Sequence, residues 1–131
     1  RCIGVCPKDA VQPISWNSND ALNCKIAEYS KAVVDGRPCF HISIVVDVSP
    51  NCDCHAENDI PIVPDVGMFA SFDPVALDVA CADAVNSKLD RRPHTHGDHF
   101  IDSAPDTDWH SCIAHAVKIG IGTDQYDLIR I

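Results

Sequence analysis

The stretch that decides the fold reads HISIVVDV and occupies residues 41–48. Its β-branched, apolar composition, bounded by Asp47 and Pro50, predicts a strand buried on both faces. The next stretch, SPNCDCHAEND, covers residues 49–59 and carries two thiols, an imidazole and three carboxylates. Loops that leave the ends of strands are where α/β folds place their chemistry. The sequence therefore predicts a buried strand that leads directly into a functional site.

A helix is predicted before this strand. Residues 18–20 offer three candidate N-caps, and Gly36 followed by Pro38 ends the helix. Its apolar residues recur at helical spacing, as expected for a face turned toward the core; they are Leu22, Ile26, Tyr29 and Val33.

The remaining elements alternate in type. A proline-rich extended segment leads to a short strand from Val66 to Ala70, and Asp73-Pro74 opens a helix that runs to about Lys88. A polar loop is predicted at 89–104, a helix from Asp106 or Thr107 to Gly120, and a final strand at 126–131. This order predicts an α/β layered domain with a central mixed sheet flanked by helices.

Composition restricts the functional classes. The chain has 131 residues, consistent with one domain, and begins without Met, which suggests a fragment of a longer protein. Its net charge is -9, and there is no basic stripe, so nucleic acid is not expected as a partner. No apolar run approaches the roughly 20 residues of a membrane span. Eight cysteines without a secretory signal favour metal or redox chemistry in the cytoplasm.

Several segments resemble one family. They read DVSPNCDC at 47–54, ENDIPIVPDVG at 57–67, ASFDPVALD at 70–78, DTDW at 106–109 and IGIG at 119–122. Together they are similar to the DUF362 family of iron–sulfur-centre proteins of unknown function. The resemblance implies a ferredoxin-type insert, a [4Fe–4S] cluster and a role in electron transfer to a redox partner protein.

The start of the chain departs from that insert. Residues 1–7, RCIGVCP, hold Cys2 and Cys6 but lack the two middle cysteines of the family's C-I-G-C-G-x-C-x-x-x-C-P pattern. A cubane cluster takes about four thiolates. Three alternatives stay open: a degenerate motif, a segment missing between Gly4 and Val5, or ligands from elsewhere. On this basis residues 1–16 are interpreted as the remnant of the cluster insert, and 17–131 as the α/β domain of the DUF362 type.

The loop after the central strand offers a second set of ligands. Residues two apart in an extended chain point the same way, with Cα atoms about 6.6 Å apart, so Cys52 and Cys54 can converge on one metal ion. His55 and Asp59 complete the candidate set, and Asp47 or Asp65 would support it. Zinc or another divalent ion is the alternative to a cluster. The structural alternative is a tight loop whose cysteines are merely buried.

Three functional classes follow from these motifs. The first is an iron–sulfur or metal-binding protein with a redox role, which as an enzyme would be an oxidoreductase. The second is a cysteine-dependent enzyme with Cys52 or Cys54 as nucleophile and His55 as base. The third is a metal-stabilised structural domain. Substrate and oligomeric state are left open.

Other residue types in the chain have structural interpretations. The histidines at 94, 96 and 99 are predicted to lie in a solvated loop, and Cys24, Cys81 and Cys112 to be small core residues. Asp73 is predicted to be an N-cap. Asp78 could be either structural or functional.

Overall fold

The computed structural model describes residues 7–8, 10, 19–51, 60–88 and 97–131. Four helices and two strands occur there, and the α/β class is confirmed. In chain order they are α1 (Asn19–Val34), β1 (His41–Val45), β2 (Gly67–Ser71), α2 (Pro74–Asn86), α3 (His99–Ser103) and α4 (His110–Lys118).

The two strands form an antiparallel pair. His41 lies opposite Ser71, and Val45 lies opposite Gly67. One face of this sheet packs on α2. That face carries His41, Ser43 and Val45, which are partly buried. The helix therefore covers the more polar side of β1.

The prediction that β1 is buried on both faces is wrong for the part of the chain that the structure describes. Ile42 is 59% exposed and Ile44 is 69% exposed. Successive side chains of a strand point to opposite faces, so an apolar run makes both faces hydrophobic whether or not a second layer covers them. The uncovered side is called the outer sheet face; it consists of Phe40, Ile42, Ile44, Val46, Met68, Ala70 and Phe72.

Helix α1 packs on α4 through a different face from the one predicted. Ala27 is its buried residue. One turn to either side, the Asn23 amide donates to Ser111 Oγ at 2.8 Å, and the Lys31 ammonium donates to the Ile119 carbonyl oxygen. Small and hydrogen-bonding residues at i, i+4 and i+8 thus form the contact. The predicted apolar stripe of Leu22, Ile26, Tyr29 and Val33 is exposed instead.

Helix α2 begins as predicted. Asp73 Oδ1 accepts from the backbone N–H groups of Val75 and Ala76, and Pro74 occupies the first turn. This is the N-cap arrangement in which a carboxylate satisfies otherwise unpaired helix donors. Asp73 Oδ2 also accepts from Thr123 N–H at 2.8 Å. One carboxylate therefore fastens α2 to the turn that follows α4.

The C-terminal third differs from the prediction at three points. Residues 99–103 of the predicted polar loop form α3, capped by Asp98. Helix α4 begins at His110, later than predicted, because turns occupy the preceding residues. Residues 126–131 do not form a strand; the Tyr126 hydroxyl donates to Asp83 Oδ2 at 2.8 Å and anchors this segment to α2. Within the described ranges no helix has the length and apolar character needed to cross a bilayer.

Candidate functional site

The residues predicted to bind a cluster or metal lie outside the described part of the chain; they are Cys2, Cys6, Cys52, Cys54, His55 and Asp59. The structure describes the frame from which the 52–59 loop leaves and to which it returns. Asn51 is the last described residue before the loop, and Ile60 is the first after it.

Backbone hydrogen bonds hold the two sides of this frame together. Val66 N–H donates to the Val45 carbonyl oxygen at 3.0 Å, and Ile62 N–H donates to that of Val48 at 2.8 Å. These bonds continue the antiparallel contact between the two chain segments beyond the end of β1. The described chain on the two sides of residues 52–59 is therefore held together at Val48 and Ile62.

A carboxylate reinforces the base of the loop. Asp65 Oδ1 accepts from Asp47 N–H at 3.1 Å. Asp47 has a positive φ of 50°, a left-handed conformation that Asp tolerates better than most side chains. Both residues were predicted as supporting groups for a metal site. The structure places them together, with one Asp65 oxygen used to hold the backbone.

A cavity of about 260 Å³ lies beside the loop base. It is called the loop-side cavity. Val48 from the base, Phe100 from α3 and Trp109 line it together with residues of α2. The lining is largely apolar, so the cavity offers packing surface next to the loop.

A second cavity of about 360 Å³, called the helix cavity, lies among α1, α2, α4 and the start of β1. Its walls are mostly aliphatic and include Val75 and Ala116. Four residues with polar side-chain groups also line it: Ser30, His41, Asp78 and Cys112. An apolar cavity with a few convergent polar groups is the usual form of a small-molecule site.

Asp78 lines both cavities. Asp78 is exposed at the openings of the two cavities. Partial burial still raises the pKa of its carboxyl group, an effect that the charge of His41 partly offsets. His41 Nε2 is buried and has no hydrogen-bond partner among the described residues.

Two of the described thiols, those of Cys81 and Cys112, are not activated. Burial raises the pKa of Cys81, with a hydrogen bond from Ser43 opposing it and the charge of Asp78 adding to it. Burial and Asp78 likewise raise the pKa of Cys112. Both groups stay protonated at neutral pH, whereas nucleophilic cysteines need a lowered pKa.

Cys24, Cys81 and Cys112 are half-buried on helices, as is Cys39 before β1. Among residues 19–51, 60–88 and 97–131, no three side chains of His, Cys, Asp or Glu come together as metal ligands. The described cysteines therefore form no metal-ligand group of three or more with other described residues.

Of the three loop histidines, only His99 is described. It is 1% exposed, and its Nε2 lies 2.8 Å from the Lys88 carbonyl oxygen. The prediction of a solvated side chain is wrong here, because α3 turns His99 into the core. Nearby, Asp98 accepts from the indole N–H of Trp109 at 3.0 Å, which joins the start of α3 to the start of α4.

A family model described as a domain of unknown function, DUF362, matches residues 1–83. The chain belongs to the DUF362 family. The matched part includes the 52–59 loop, Asp73 and Asp78, and ends within α2. The predicted likeness of the tail at 106–122 is not part of the match. Searches of curated proteins and of solved structures find no significant match.

The cavity groups were not singled out by sequence reasoning, apart from the open assignment of Asp78. A signal for them exists. Asp78 and Asp83 are the two charged residues of α2, a helix otherwise composed mainly of small and apolar residues. In the strand, His41 and Ser43 alternate with isoleucines, which marks one face as polar. His41 from the strand and Asp78 from the helix both line the helix cavity.

Proposed function

We propose that this DUF362 protein binds a redox-active metal centre at the loop after β1, and that an iron–sulfur cluster is the group that fits best. One observation carries the proposal. The loop with two thiols, an imidazole and three carboxylates has its ends tied together by backbone hydrogen bonds at Val48 and Ile62. A closed base lowers the entropy that ligand side chains lose when they converge on a metal.

The cysteine count agrees with a cluster. Four of the eight cysteines occupy half-buried positions in the described fold, and none of them belongs to a group of three or more possible metal ligands among the described residues. The four others are Cys2, Cys6, Cys52 and Cys54. A [4Fe–4S] cluster takes about four thiolates, so this number of donors is sufficient.

The chemistry supplied by such a group is one-electron transfer. The protein would then exchange electrons with a redox partner protein. Thiolate ligands need a reducing compartment, which favours the cytoplasm. A divalent ion such as zinc is the second candidate, with Cys52, Cys54, His55 and Asp59 as its donors.

The test is the metal and sulfide content of anaerobically purified protein. We expect about four iron and four sulfide per chain, with visible absorbance from sulfur-to-iron charge transfer. Two double variants, Cys2→Ser with Cys6→Ser and Cys52→Ser with Cys54→Ser, should each lose the iron. The matched control replaces Cys24 and Cys39 by Ser and removes the same number of thiols.

The outcomes separate the competing functions. Iron that persists in both ligand variants contradicts the proposal. Zinc that depends only on the loop cysteines, with no sulfide, replaces the cluster by a structural metal site. A colourless, metal-free protein in which one loop thiol is alkylated rapidly at neutral pH favours the alternative of a cysteine-dependent enzyme, with Cys52 or Cys54 as nucleophile and His55 as base.

A further inference from the structure

The outer sheet face is an uninterrupted apolar surface. Ile44 lies directly opposite Met68, and Ile42 lies opposite Ala70, so these side chains project from the same side of the sheet. Ile44 is 69% exposed and Met68 is 71% exposed. The face contains no polar or charged side chain over residues 40, 42, 44 and 46 of one strand and 68, 70 and 72 of the other.

Two aromatic rings close one end of this face. The rings of Phe40 and Phe72 meet edge to face with centroids 5.0 Å apart, and Phe72 is 79% exposed. The pair thus extends the strand register by one position beyond His41 and Ser71. A fully exposed phenyl side chain presents about 200 Å² and an aliphatic one about 120 Å². Scaled by their exposed fractions, the six large side chains of the outer sheet face together expose roughly 550 Å².

We propose that the outer sheet face is the contact surface of a homodimer, in which the sheet of a second copy packs face to face on the first. Two such faces would bury roughly 1,100 Å² from side chains alone, which exceeds the approximately 1,000 Å² expected of a specific interface. A patch of this size also lies at the upper end of what monomers expose. Two sheets pack at a separation of about 10 Å, which apolar side chains of this size fill.

Negative charge at one end of the sheet favours one arrangement of the two copies in the dimer. Asp47 and Asp65 are exposed at the end near Val46, and their backbone-to-carboxylate hydrogen bond keeps them together. A two-fold axis across the strands places this end of one copy over the Phe40 end of the other. The two acidic ends are then separated by about 20 Å, the length of six strand residues, which exceeds the Debye length of roughly 10 Å. An axis along the strands would instead bring four carboxylates together.

The experiment measures the mass of the 131-residue protein in solution by sedimentation equilibrium across micromolar concentrations. We expect a species of twice the 14.2 kDa chain mass. Ile44→Lys should weaken self-association at least about 100-fold, because each dimer would bury two unpaired ammonium groups. The matched control is Tyr29→Lys, which places the same charge on a 76% exposed apolar residue of α1. It should change self-association less than about threefold.

A second variant guards against loss of folding. Ile44→Thr keeps a β-branched residue in the strand and should weaken the dimer while far-UV circular dichroism stays unchanged. A wild-type protein that is monomeric throughout overturns the proposal and assigns the face to another cover, either further residues of the same polypeptide or a different protein. A dimer that Ile44→Lys and Tyr29→Lys affect equally overturns it as well.

Discussion

Replacement of Asp73 by Ala removes three hydrogen bonds at one point of the fold. Asp73 Oδ1 accepts from Val75 N–H at 2.9 Å and from Ala76 N–H at 3.0 Å, and Oδ2 accepts from Thr123 N–H at 2.8 Å. The first two bonds cap α2. The third links that helix to the turn after α4, which is remote in sequence.

The expected loss follows from these two roles. An N-cap Asp replaced by Ala costs about 1 kcal/mol. The link to Thr123 is charge-assisted but exposed, so its loss adds roughly another 1 kcal/mol. Asp73→Ala should therefore lower the free energy of unfolding by about 2 kcal/mol, and Asp73→Ser, which retains a capping oxygen but does not reach Thr123, by about 1 kcal/mol.

Urea unfolding measures both values. With a slope of about 2 kcal/mol per molar urea, the midpoint should fall by about 1 M for Asp73→Ala and by about half of that for Asp73→Ser. Gly122→Ala probes the same contact from the other side, since its Cβ would collide with the Asp73 carboxylate. Asp127→Ala, which removes an exposed carboxylate from the C-terminal segment, is the control and should stay within about 0.5 kcal/mol of wild type.

Two results would refute this reasoning. The first is an Asp73→Ala protein as stable as the Asp127→Ala control. The second is equal loss for Asp73→Ala and Asp73→Ser, because the cap would then contribute nothing and only the link to Thr123 would count.

Two further predictions concern carboxylates with shifted pKa values. Asp78 has a raised pKa, so the stability it contributes is fully present at pH values below its ordinary pKa and is lost as the pH rises through the folded-state value. Asp78→Asn should remove this loss of stability with rising pH and so raise the urea midpoint near neutral pH. A variant whose urea midpoint changes between about pH 4 and about pH 7 in parallel with wild type would contradict this. For Asp98, burial acts to raise the pKa, but hydrogen bonds from Ile101 N–H, the Trp109 indole and Phe100 N–H outweigh it, so the pKa is lowered overall. The stability that Asp98 contributes is therefore present above its ordinary pKa. It disappears as the pH falls through the folded-state pKa. Asp98→Ala should cost about 1 kcal/mol at neutral pH and less in acid, measured by urea unfolding, with a shift in Trp109 fluorescence; a cost that grows with acidity would contradict it.

The starts and ends of elements were largely predictable because local chemistry sets them. Asp73-Pro74 identified the first turn of α2, where a carboxylate cap and a fixed φ act within a few residues. Gly36, with φ of 68°, follows the end of α1 as the sequence indicated. Such signals need no knowledge of the remaining chain.

The faces of the elements were less predictable because tertiary packing decides them. The apolar stripe of α1 indicated a buried side, yet the contact with α4 uses Asn23, Ala27 and Lys31, where a small residue permits close approach and two polar ones bond across. In β1 the isoleucines point away from α2. A hydrophobic pattern shows which side is apolar, and only the fold shows what lies against it.

The same distinction between local signals and tertiary packing applies to the short helix α3 and to the candidate site. Helix α3 spans five residues, too few for a periodic pattern, although Asp98 before His99 is a capping signal. The metal ligands were predicted from the density of donor groups at 52–59 and stay a prediction. The meeting of Asp78 with His41 at one cavity was not predictable, because His41 lies in a strand more than 30 residues earlier in the chain.

The closure between Val48 and Ile62 has a practical consequence for protein engineering. Because the bond joins main-chain atoms, it does not depend on which side chains occupy positions 52–59. The loop can therefore be exchanged as a cassette, with donor sets of different charge or length transplanted onto an unchanged frame. A series of such chimaeras would let metal preference be varied independently of the scaffold that carries it.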